Sequence, residues 1–590
     1  MQTLNNVHEQ FAEFFKAETL KPFASLVLKK LSEGHICLDL NEVLDDNIEF
    51  PLLYHSLSDI EDDLKKEHLV STSFDEKQPF VLYKSKLYLQ RYFVYETIIL
   101  KRIQALIESE SEDLANRIDL INKHRELISN LFPNGTSLEG LSPDEAVDWQ
   151  LVATIFGLLN NFTIVTGGPG TGKTTTVSKI LELLKTINPD IRIGLAAPTG
   201  KAAMRLSESL QGAQPTTIHR MLKTVYGSIH FKHNQQNPLK YDIVIIDEAS
   251  MIDVALFAKL LDAIGTNTRL ILLGDKDQLS SVEAGSLFRD LCQTQEKVNL
   301  MSANKIELIN SFIVNNESKL TEKFISKEPL HPLESHIIEL KRSRRFDSRK
   351  GVGKFSKAII TNNLSQIKEF LNIGYDEQVY IDTSYNSDVF GNFVRAYKAY
   401  IDEENILSAL HKFNNLRVLC AVREGKSGLY NINTEIESFL KTEGLIDNQS
   451  EFYMNRPIII TKNYYDLGLY NGDIGIIRPD SNNNMMAWFE DSEKQLKAVS
   501  PQLIVESETV YAMTIHKSQG SEYEEVLVVL PDREDTHILT RELLYTAVTR
   551  AKSSVIIQSS ESVILSTTGR TVKRASGIKD RFNDSIKNDR

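Results

Sequence analysis

The stretch Gly167-Gly-Pro-Gly-Thr-Gly-Lys-Thr-Thr-Thr176 constrains this chain more than any other. It follows the apolar run Phe162-Thr-Ile-Val165 and precedes Val177-Ser-Lys-Ile-Leu-Glu-Leu-Leu184, a pattern of strand, glycine-rich turn and amphipathic helix. In that setting G-x-x-x-x-G-K-T is a phosphate-binding loop. The glycines let the backbone curl round an anion, turning successive N–H groups and a helix N-terminus toward it. The spacing assigns Gly167, Gly168, Pro169, Gly170, Thr171, Gly172, Lys173, Thr174 and Thr175 to a nucleotide cradle. Lys173 is expected at the β- and γ-phosphates of ATP, and the Thr174 hydroxyl in the shell of a Mg²⁺ ion.

Downstream, Asp242-Ile-Val-Ile-Ile-Asp247-Glu248 has four successive aliphatic residues, the mark of a strand buried on both faces, with carboxylates emerging at its end. Asp247 is the expected Mg²⁺ ligand, and Glu248 the group that orients and deprotonates the attacking water. A further strand, Arg269–Gly274, runs into Asp275-Lys-Asp-Gln278, which places Gln278 to sense the γ-phosphate. Gln150, on the helix feeding the phosphate-loop strand, is placed to read an adenine edge through its amide. Another strand, Ile191–Ala197, ends in Pro198-Thr-Gly-Lys201. Ligands of open parallel sheets lie beyond the carboxyl ends of the strands, so Thr199 and Lys201 are placed for an extended anionic chain. His219 sits on a short helix with no metal-ligand partner nearby in sequence, which leaves a structural or ligand-adjacent role.

At 590 residues the chain is too long for one core. Its three cysteines, Cys37, Cys292 and Cys420, lie far apart without spaced histidines, which argues against a disulfide framework or a zinc site. A net charge of −13 argues against nucleic acid coating the whole surface but leaves room for a basic channel. Basic residues cluster between Lys341 and Lys350, and again in the tail from Arg570 to Arg590. The N-terminus does not have the pattern of a signal peptide, and no apolar run approaches the roughly 18 residues of a membrane span. The expected compartment is the cytoplasm.

Residues 1–110 alternate helical patterns with polar connections and carry no phosphate or metal motif. Within them Leu87–Glu96 places Tyr88, Tyr92 and Tyr95 at helical spacing beside Arg91, as either a core or a partner-facing helix. Residues 111–355 hold the first ATPase motifs, and 356–590 a second α/β unit. Short strands and Asn-Gly turns over 456–508 point to a small β-barrel inserted in that second unit.

The assembled set resembles the superfamily 1 helicases, and within them the RecD family, the α subunit of exonuclease V. The resemblance is carried by Gly167–Thr176, Ala197-Pro-Thr-Gly-Lys-Ala-Ala203, Ile246-Asp-Glu-Ala-Ser250, Gly274-Asp-Lys-Asp-Gln-Leu279, Ser343-Arg-Arg-Phe346, Thr514-Ile-His-Lys-Ser-Gln-Gly520 and Tyr545-Thr-Ala-Val-Thr-Arg-Ala-Lys552. It implies an α/β chain of two RecA-like P-loop motor domains, with an SH3-like β-barrel inserted in the second and a mainly helical N-terminal assembly domain. The implied activity is 5′→3′ helicase action on single-stranded DNA, driven by ATP and Mg²⁺. The implied partners are a RecB-like helicase–nuclease and a RecC-like scaffold, together forming a heterotrimer that acts at double-strand DNA ends. Gln150 falls at the adenine, Lys173, Thr174, Asp247 and Glu248 at Mg-ATP, and Arg345 and Arg550 at the γ-phosphate. Thr199, Lys201, His219, Thr514 and His516 fall along the DNA. The family more often has Tyr at the position of Arg344, so Arg345 is the arginine carried over. A stand-alone 5′→3′ helicase and an ATP-switched assembly subunit are the competing readings. Cleavage is expected in a partner, because Glu339-Leu-Lys341 lacks the carboxylate that a nuclease cluster needs.

Overall fold

The computed structural model describes residues 7–45, 50, 54–73, 77–132, 141–210, 212–281, 283–294, 297–326, 331–372, 376–491, 494–534 and 536–588. The N-terminal unit is an α/β unit, where a mainly helical one was expected. Strands β1 (Leu38–Asp39), β2 (Val70–Ser71), β3 (Phe80–Tyr83) and β4 (Lys86–Leu89) pair in the order β1-β4-β3-β2. Helices Lys21–Ser32 and Leu57–Lys66 cover a core of Phe23, Val27, Ile60, Leu64, Phe80 and Leu87. Strands β3 and β4 form a hairpin, with Phe80 opposite Leu89 and Tyr83 opposite Lys86, turned at Lys84 in the left-handed region (φ 40°).

That hairpin divides the Leu87–Glu96 segment, which was expected to be one helix. Leu87–Leu89 is strand, and a helix begins only at Gln90 and runs to Glu108. Tyr88 is fully buried, edge-on to Phe93 at 5.3 Å, so it belongs to the core and not to a partner surface. Tyr92 and Tyr95 pack, partly buried, on the hydrophobic cluster of the neighbouring sheet, and Arg91 stays exposed. The helix Gln90–Glu108 lies along the helix Val254–Ala263 of that neighbour. Its Arg102 guanidinium donates to the carbonyls of Leu261, Asp262 and Ile264 at 3.2, 3.2 and 2.5 Å, satisfying a helix C-terminus.

The neighbouring sheet contains β5 (Phe162–Thr166), β6 (Ile193–Ala197), β7 (Thr216–Thr217), β8 (Ile243–Ile246), β9 (Arg269–Gly274) and β10 (Ile337–Glu339). Every pairing is parallel, in the order β10-β5-β9-β8-β6-β7. Strands β5 and β8 are buried along their whole length, as their aliphatic content requires between two helical layers. The order sets β5, β9 and β8 side by side, so the residues that follow them share one edge of the sheet.

A second parallel sheet, order β11-β20-β19-β12-β18, uses β11 (Val379–Asp382), β12 (Leu416–Cys420), β18 (Ala512–Thr514), β19 (Tyr523–Val529) and β20 (Ala551–Gln558). Between β12 and β18 the chain builds an antiparallel sheet of β13 (Pro457–Ile460), β14 (Ile474–Pro479), β15 (Met485–Glu490), β16 (Leu496–Val499) and β17 (Ser507–Thr509). Its order is β16-β15-β14-β13-β17, around a separate core that includes Ile458, Ile460, Ile477 and Phe489.

The basic tail is tied down as a strap between units. Ile36 N–H donates to the Ala575 carbonyl, and Ala575 N–H donates to His35 Nδ1, both at 3.0 Å. Gly577 N–H donates to Glu96 at 2.9 Å, and Arg581 pairs with the same carboxylate at 3.1 Å. The two side chains are only 4% and 0% exposed, and the guanidinium lies 4.0 Å from the Phe93 ring centroid. Burial pushes the Glu96 carboxyl pKa up, and Arg581 opposes it. Ile578 and Phe582 join the cluster formed by Ile99, Ile103 and Leu291. Breaking a buried pair leaves an uncompensated charge, so Arg581→Met is expected to destabilise the N-terminal unit by about 3–5 kcal/mol. Urea unfolding followed by limited proteolysis of that unit is the check; a midpoint equal to that of the unaltered chain would show that the strap holds nothing.

Candidate functional site

The turn after β5 takes the shape that its glycines permit. Gly170 and Gly172 have φ values of +74° and +87°, in the left-handed region. A Cβ at Gly172 would sit 2.0 Å from Gln150 Nε2, and one at Gly170 would sit 2.3 Å from the Cβ of Arg345. Neighbouring chain therefore presses on the loop from two sides. Ser343 Oγ donates to the Pro169 carbonyl at 3.1 Å, and Arg344 N–H donates to the Gly170 carbonyl at 2.8 Å. Gly167 N–H is held by the Gly274 carbonyl of β9 at 3.1 Å, and a Cβ at Gly168 would sit 2.8 Å from the Tyr545 hydroxyl. Lys173 opens the helix Lys173–Ile187, with Thr174 and Thr175 in its first turn. The Lys173 ammonium folds back onto the Gly167 and Gly168 carbonyls, at 2.6 and 3.3 Å, and Thr171 Oγ1 donates to Gly168 at 2.8 Å.

Facing this cradle, Asp247 leaves the end of β8 and Asp275 the end of β9. Burial, and then the charge of Glu248, push the Asp247 carboxyl up to about 6 against the pull of Lys173. Burial likewise lifts Asp275 to about 6, again opposed by Lys173. Two desolvated carboxylates beside one ammonium make a site short of positive charge, with hard oxygen donors. That donor set fits a Mg²⁺ ion, with Asp247 as a candidate ligand. Glu248 adopts a left-handed conformation (φ 52°), costly for a residue with a Cβ, and its N–H donates to Asp247 Oδ1 at 2.8 Å.

Gln150 is 6% exposed and donates through Nε2 to the Thr171 carbonyl at 3.1 Å, while its Oε1 is buried without a partner. It borders a cavity whose walls include Phe132, Trp149, Thr171, Val314 and Arg344. A lone amide oxygen in a partly apolar cavity at the loop fits the edge of a purine base.

The second parallel sheet reaches into the same site. Arg550, 3% exposed, donates to Gln278 Oε1 at 3.0 Å and also to the Thr546 and Ser521 carbonyls, each at 3.1 Å. Tyr545 donates to Asp275 at 3.2 Å, and Gln278 Nε2 donates to the same carboxylate at 2.8 Å. Leu279 is held through both backbone groups: its N–H donates to Thr546 Oγ1 at 3.0 Å, and its carbonyl accepts from Gln519 at 2.7 Å. Arg345 pairs with Glu522 at 2.7 Å, and Arg205 pairs with the same carboxylate.

The residues expected along an extended anion lie on two abutting segments and one outlying helix. Thr199 caps the helix Gly200–Ser209 by accepting from Ala202 N–H at 3.2 Å, and Lys201 lines a cavity between units with Asp473, Gly520 and Tyr523. Thr514 is buried, and its hydroxyl accepts from Lys517 N–H at 3.2 Å. The Thr514–Gly520 segment meets the Gly200–Ser209 helix where Arg205 donates to the Gly520 carbonyl at 3.4 Å. His516 is half-buried, with its imidazole pKa lowered by burial and by Arg574. His219 is exposed and lies edge-on to Phe231 at 5.7 Å, on the outlying helix Ile218–Leu222.

Sequence reasoning gave no individual role to Asp275, Tyr545, Arg205 or Glu522. Asp275 carries the same signal as Asp247, an acid at the end of an aliphatic strand. The others meet partners far away in the chain, and no local spacing announces them.

Two parallel sheets, with a phosphate loop on one and an arginine from the other closing on it, define a helicase-type P-loop ATPase. Residues 150–284 match the AAA domain family, 509–557 the UvrD-like helicase C-terminal domain, and 1–88 the N-terminal domain of RecBCD enzyme subunit RecD. The RecBCD enzyme subunit RecD of Mycolicibacterium smegmatis is 32% identical over 588 residues, 95% of this chain and 92% of that protein. That of Haemophilus influenzae is 32% identical over 79% of this chain and 77% of that protein. The ATP-dependent RecD2 DNA helicase of Deinococcus radiodurans is 27% identical over 70% of this chain but only 48% of that protein. The chain belongs to the RecD family, and is an ATP-dependent helicase motor subunit.

The closeness of Gly170 to Arg345 generates a specific expectation. Gly170→Ala forces a Cβ into the Arg345 Cβ at a left-handed φ, and should weaken binding of a fluorescent ATP analogue by more than about tenfold, or about 1.4 kcal/mol. Unchanged affinity in a folded variant would show that the loop has room to spare.

Proposed function

We propose that this chain is the 5′→3′ single-stranded-DNA motor of a heterotrimeric helicase–nuclease that processes double-strand DNA ends for recombinational repair. Its partners in this reading are a RecB-like helicase–nuclease and a RecC-like scaffold. The reading divides the chain into an N-terminal assembly unit, a first RecA-like motor domain, and a second one carrying β13–β17 as an SH3-like barrel. The observation that carries it is the hydrogen bond from Arg550 to Gln278, which puts an arginine of the second sheet beside the phosphate loop of the first. Membership of the RecD family supports the direction and the partners of this reading. The match of residues 1–88 to the RecD N-terminal domain favours a subunit over a stand-alone helicase. Among the described residues no helix is long and apolar enough to cross a membrane.

In this mechanism Lys173 exchanges its loop carbonyls for the β- and γ-phosphate oxygens of ATP. Asp247 and Thr174 would hold a divalent cation, whose charge would offset that of the terminal phosphoryl group. Glu248 orients the attacking water and takes its proton, its side chain aimed by the left-handed turn. Arg345 and Arg550 face the charge that builds on the transferring group, where fixed positive charge lowers the barrier most. Gln278 joins Arg550 to Asp275, so a change at the terminal phosphate is felt by both motor domains. Closure and reopening of the cleft then let the Thr199 and Thr514 segments grip the DNA backbone alternately.

Lys173→Gln is expected to cut DNA-stimulated ATP turnover by more than tenfold with the fold intact, since charge stabilisation here is worth several kcal/mol. Steady-state ATPase on single-stranded DNA is the measurement; near-normal turnover would remove Lys173 from the site. Glu248→Gln should bind nucleotide normally yet hydrolyse it slowly in a single turnover, and unchanged hydrolysis would assign the base elsewhere. A folded chain lacking residues 1–89 is expected to keep DNA-stimulated ATPase but not co-purify with its two partners. Stoichiometric entry of that truncated chain into the complex would move the assembly contact to another unit.

A further inference from the structure

One carboxylate in the site serves two arginines. Glu522 follows the Thr514–Gly520 segment of the second motor domain, and its side chain is 12% exposed. It accepts from Arg345 Nη2 at 2.7 Å and also pairs with the Arg205 guanidinium. Both arginines belong to the first motor domain. Arg345 lies against Gly170 of the phosphate loop. Arg205 stands on the Gly200–Ser209 helix, whose start carries Thr199 and Lys201, and it also reaches the Gly520 carbonyl. Burial works to raise the Glu522 carboxyl, yet Arg205 and Arg345 hold it down at about 2, so it is an anion at any physiological pH.

Two guanidinium groups share one carboxylate, so Glu522 does not by itself neutralise both. Arg345 Nη1 is, in addition, buried without a hydrogen-bond partner. A guanidinium with one nitrogen buried and unsatisfied is a group arranged to take a second anion. The terminal phosphate of a bound nucleotide is the anion that this loop is shaped to present. Arg205 points the other way along the same network, its charge felt by Glu248 and Asp247 as well as by Glu522.

We propose that Glu522 is a positioning residue for ATP hydrolysis: a cross-cleft clasp that holds Arg345 away from the terminal phosphate and is loosened through Arg205 when DNA engages the Gly200–Ser209 helix. This rests on the motor reading above. In the DNA-free chain Glu522 competes with the nucleotide for Arg345. Movement of the helix shifts Arg205 against Glu522, which frees Arg345 to face the phosphate. The clasp thereby makes hydrolysis depend on DNA, because the same carboxylate ties the DNA-side helix to the phosphate-side arginine.

The test uses the full chain and the variants Glu522→Gln, Glu522→Asp and Arg205→Gln. The probes are a fluorescent ATP analogue without DNA and ATP turnover with and without single-stranded DNA. The wild-type stimulation ratio is read first, and its absence would fail the motor reading while leaving the nucleotide-binding arm still to decide the clasp. Glu522→Gln should tighten DNA-free nucleotide binding and lower the stimulation ratio, each by about fivefold or more. Glu522→Asp keeps the charge and should stay within about twofold of wild type, and Arg205→Gln combined with Glu522→Gln should lose no more stimulation than Glu522→Gln alone. Unchanged affinity and ratio in Glu522→Gln would overturn the proposal. So would equal impairment of the Gln and Asp variants with a lowered melting temperature, since that is the signature of packing alone.

Discussion

The site depends on the short segment Asp275–Leu279 being held by both parallel sheets at once. Asp275 leaves β9 on the first sheet and accepts from Tyr545 of the second unit, Gln278 accepts from Arg550, and Leu279 is pinned through its N–H and its carbonyl. These bonds are buried, where a lost partner leaves a desolvated polar group and costs more than the bond itself contributes. Relative motion of the two units therefore acts on this segment, as it does on the Arg205–Glu522–Arg345 contacts, and the segment carries a carboxylate facing the phosphate loop. Mechanical coupling and chemistry are not separate layers in this molecule, because the same side chains supply both.

Electrostatics gives the site its polarity. Asp247 and Asp275 are lifted toward neutrality by burial, while a short distance away Glu522 is held firmly ionised by two arginines. Carboxylates of ordinary intrinsic acidity thus take opposite roles according to their company. The pair at the strand ends waits for a cation, and the one on the cleft is already neutralised. In the proposed reading a nucleotide with its metal would fill both deficits, adding positive charge at the strand ends and negative charge at Arg345.

Much of the unit around the first parallel sheet was legible because its signals are local. The phosphate loop, the aliphatic β8 with Asp247 at its end, and the helix beginning at Lys173 each occupy a few consecutive residues whose spacing reflects one turn or one strand. The antiparallel insertion was legible from its Asn-Gly turns for the same reason. What escaped was set by distance along the chain. Arg205 and Glu522 are 317 positions apart, and Arg550 meets Gln278 across 272, so no period or motif links them. The N-terminal sheet escaped for a different reason. β1 and β2 are two residues each, too short to show alternation, and the β3–β4 turn is Lys84-Ser85 in place of a glycine-bearing pair. Tyr88 then fell at helical spacing from Tyr92 and Tyr95 across a boundary between strand and helix, so its place in that period was coincidental.

The strap gives the molecule a direction in time. Glu96 is sealed inside the protein by Gly577 and Arg581, which lie 481 and 485 positions later in the chain. During synthesis the N-terminal unit and the first parallel sheet emerge long before the groups that neutralise that carboxylate. Until then Glu96 stays hydrated or protonated, and the interface that also takes Ile578 and Phe582 remains open. The surface between the two units closes only after the second parallel sheet has been made. A chain broken off early keeps a water-exposed apolar seam for chaperones and proteases to recognise, and one carried through to the strap conceals it.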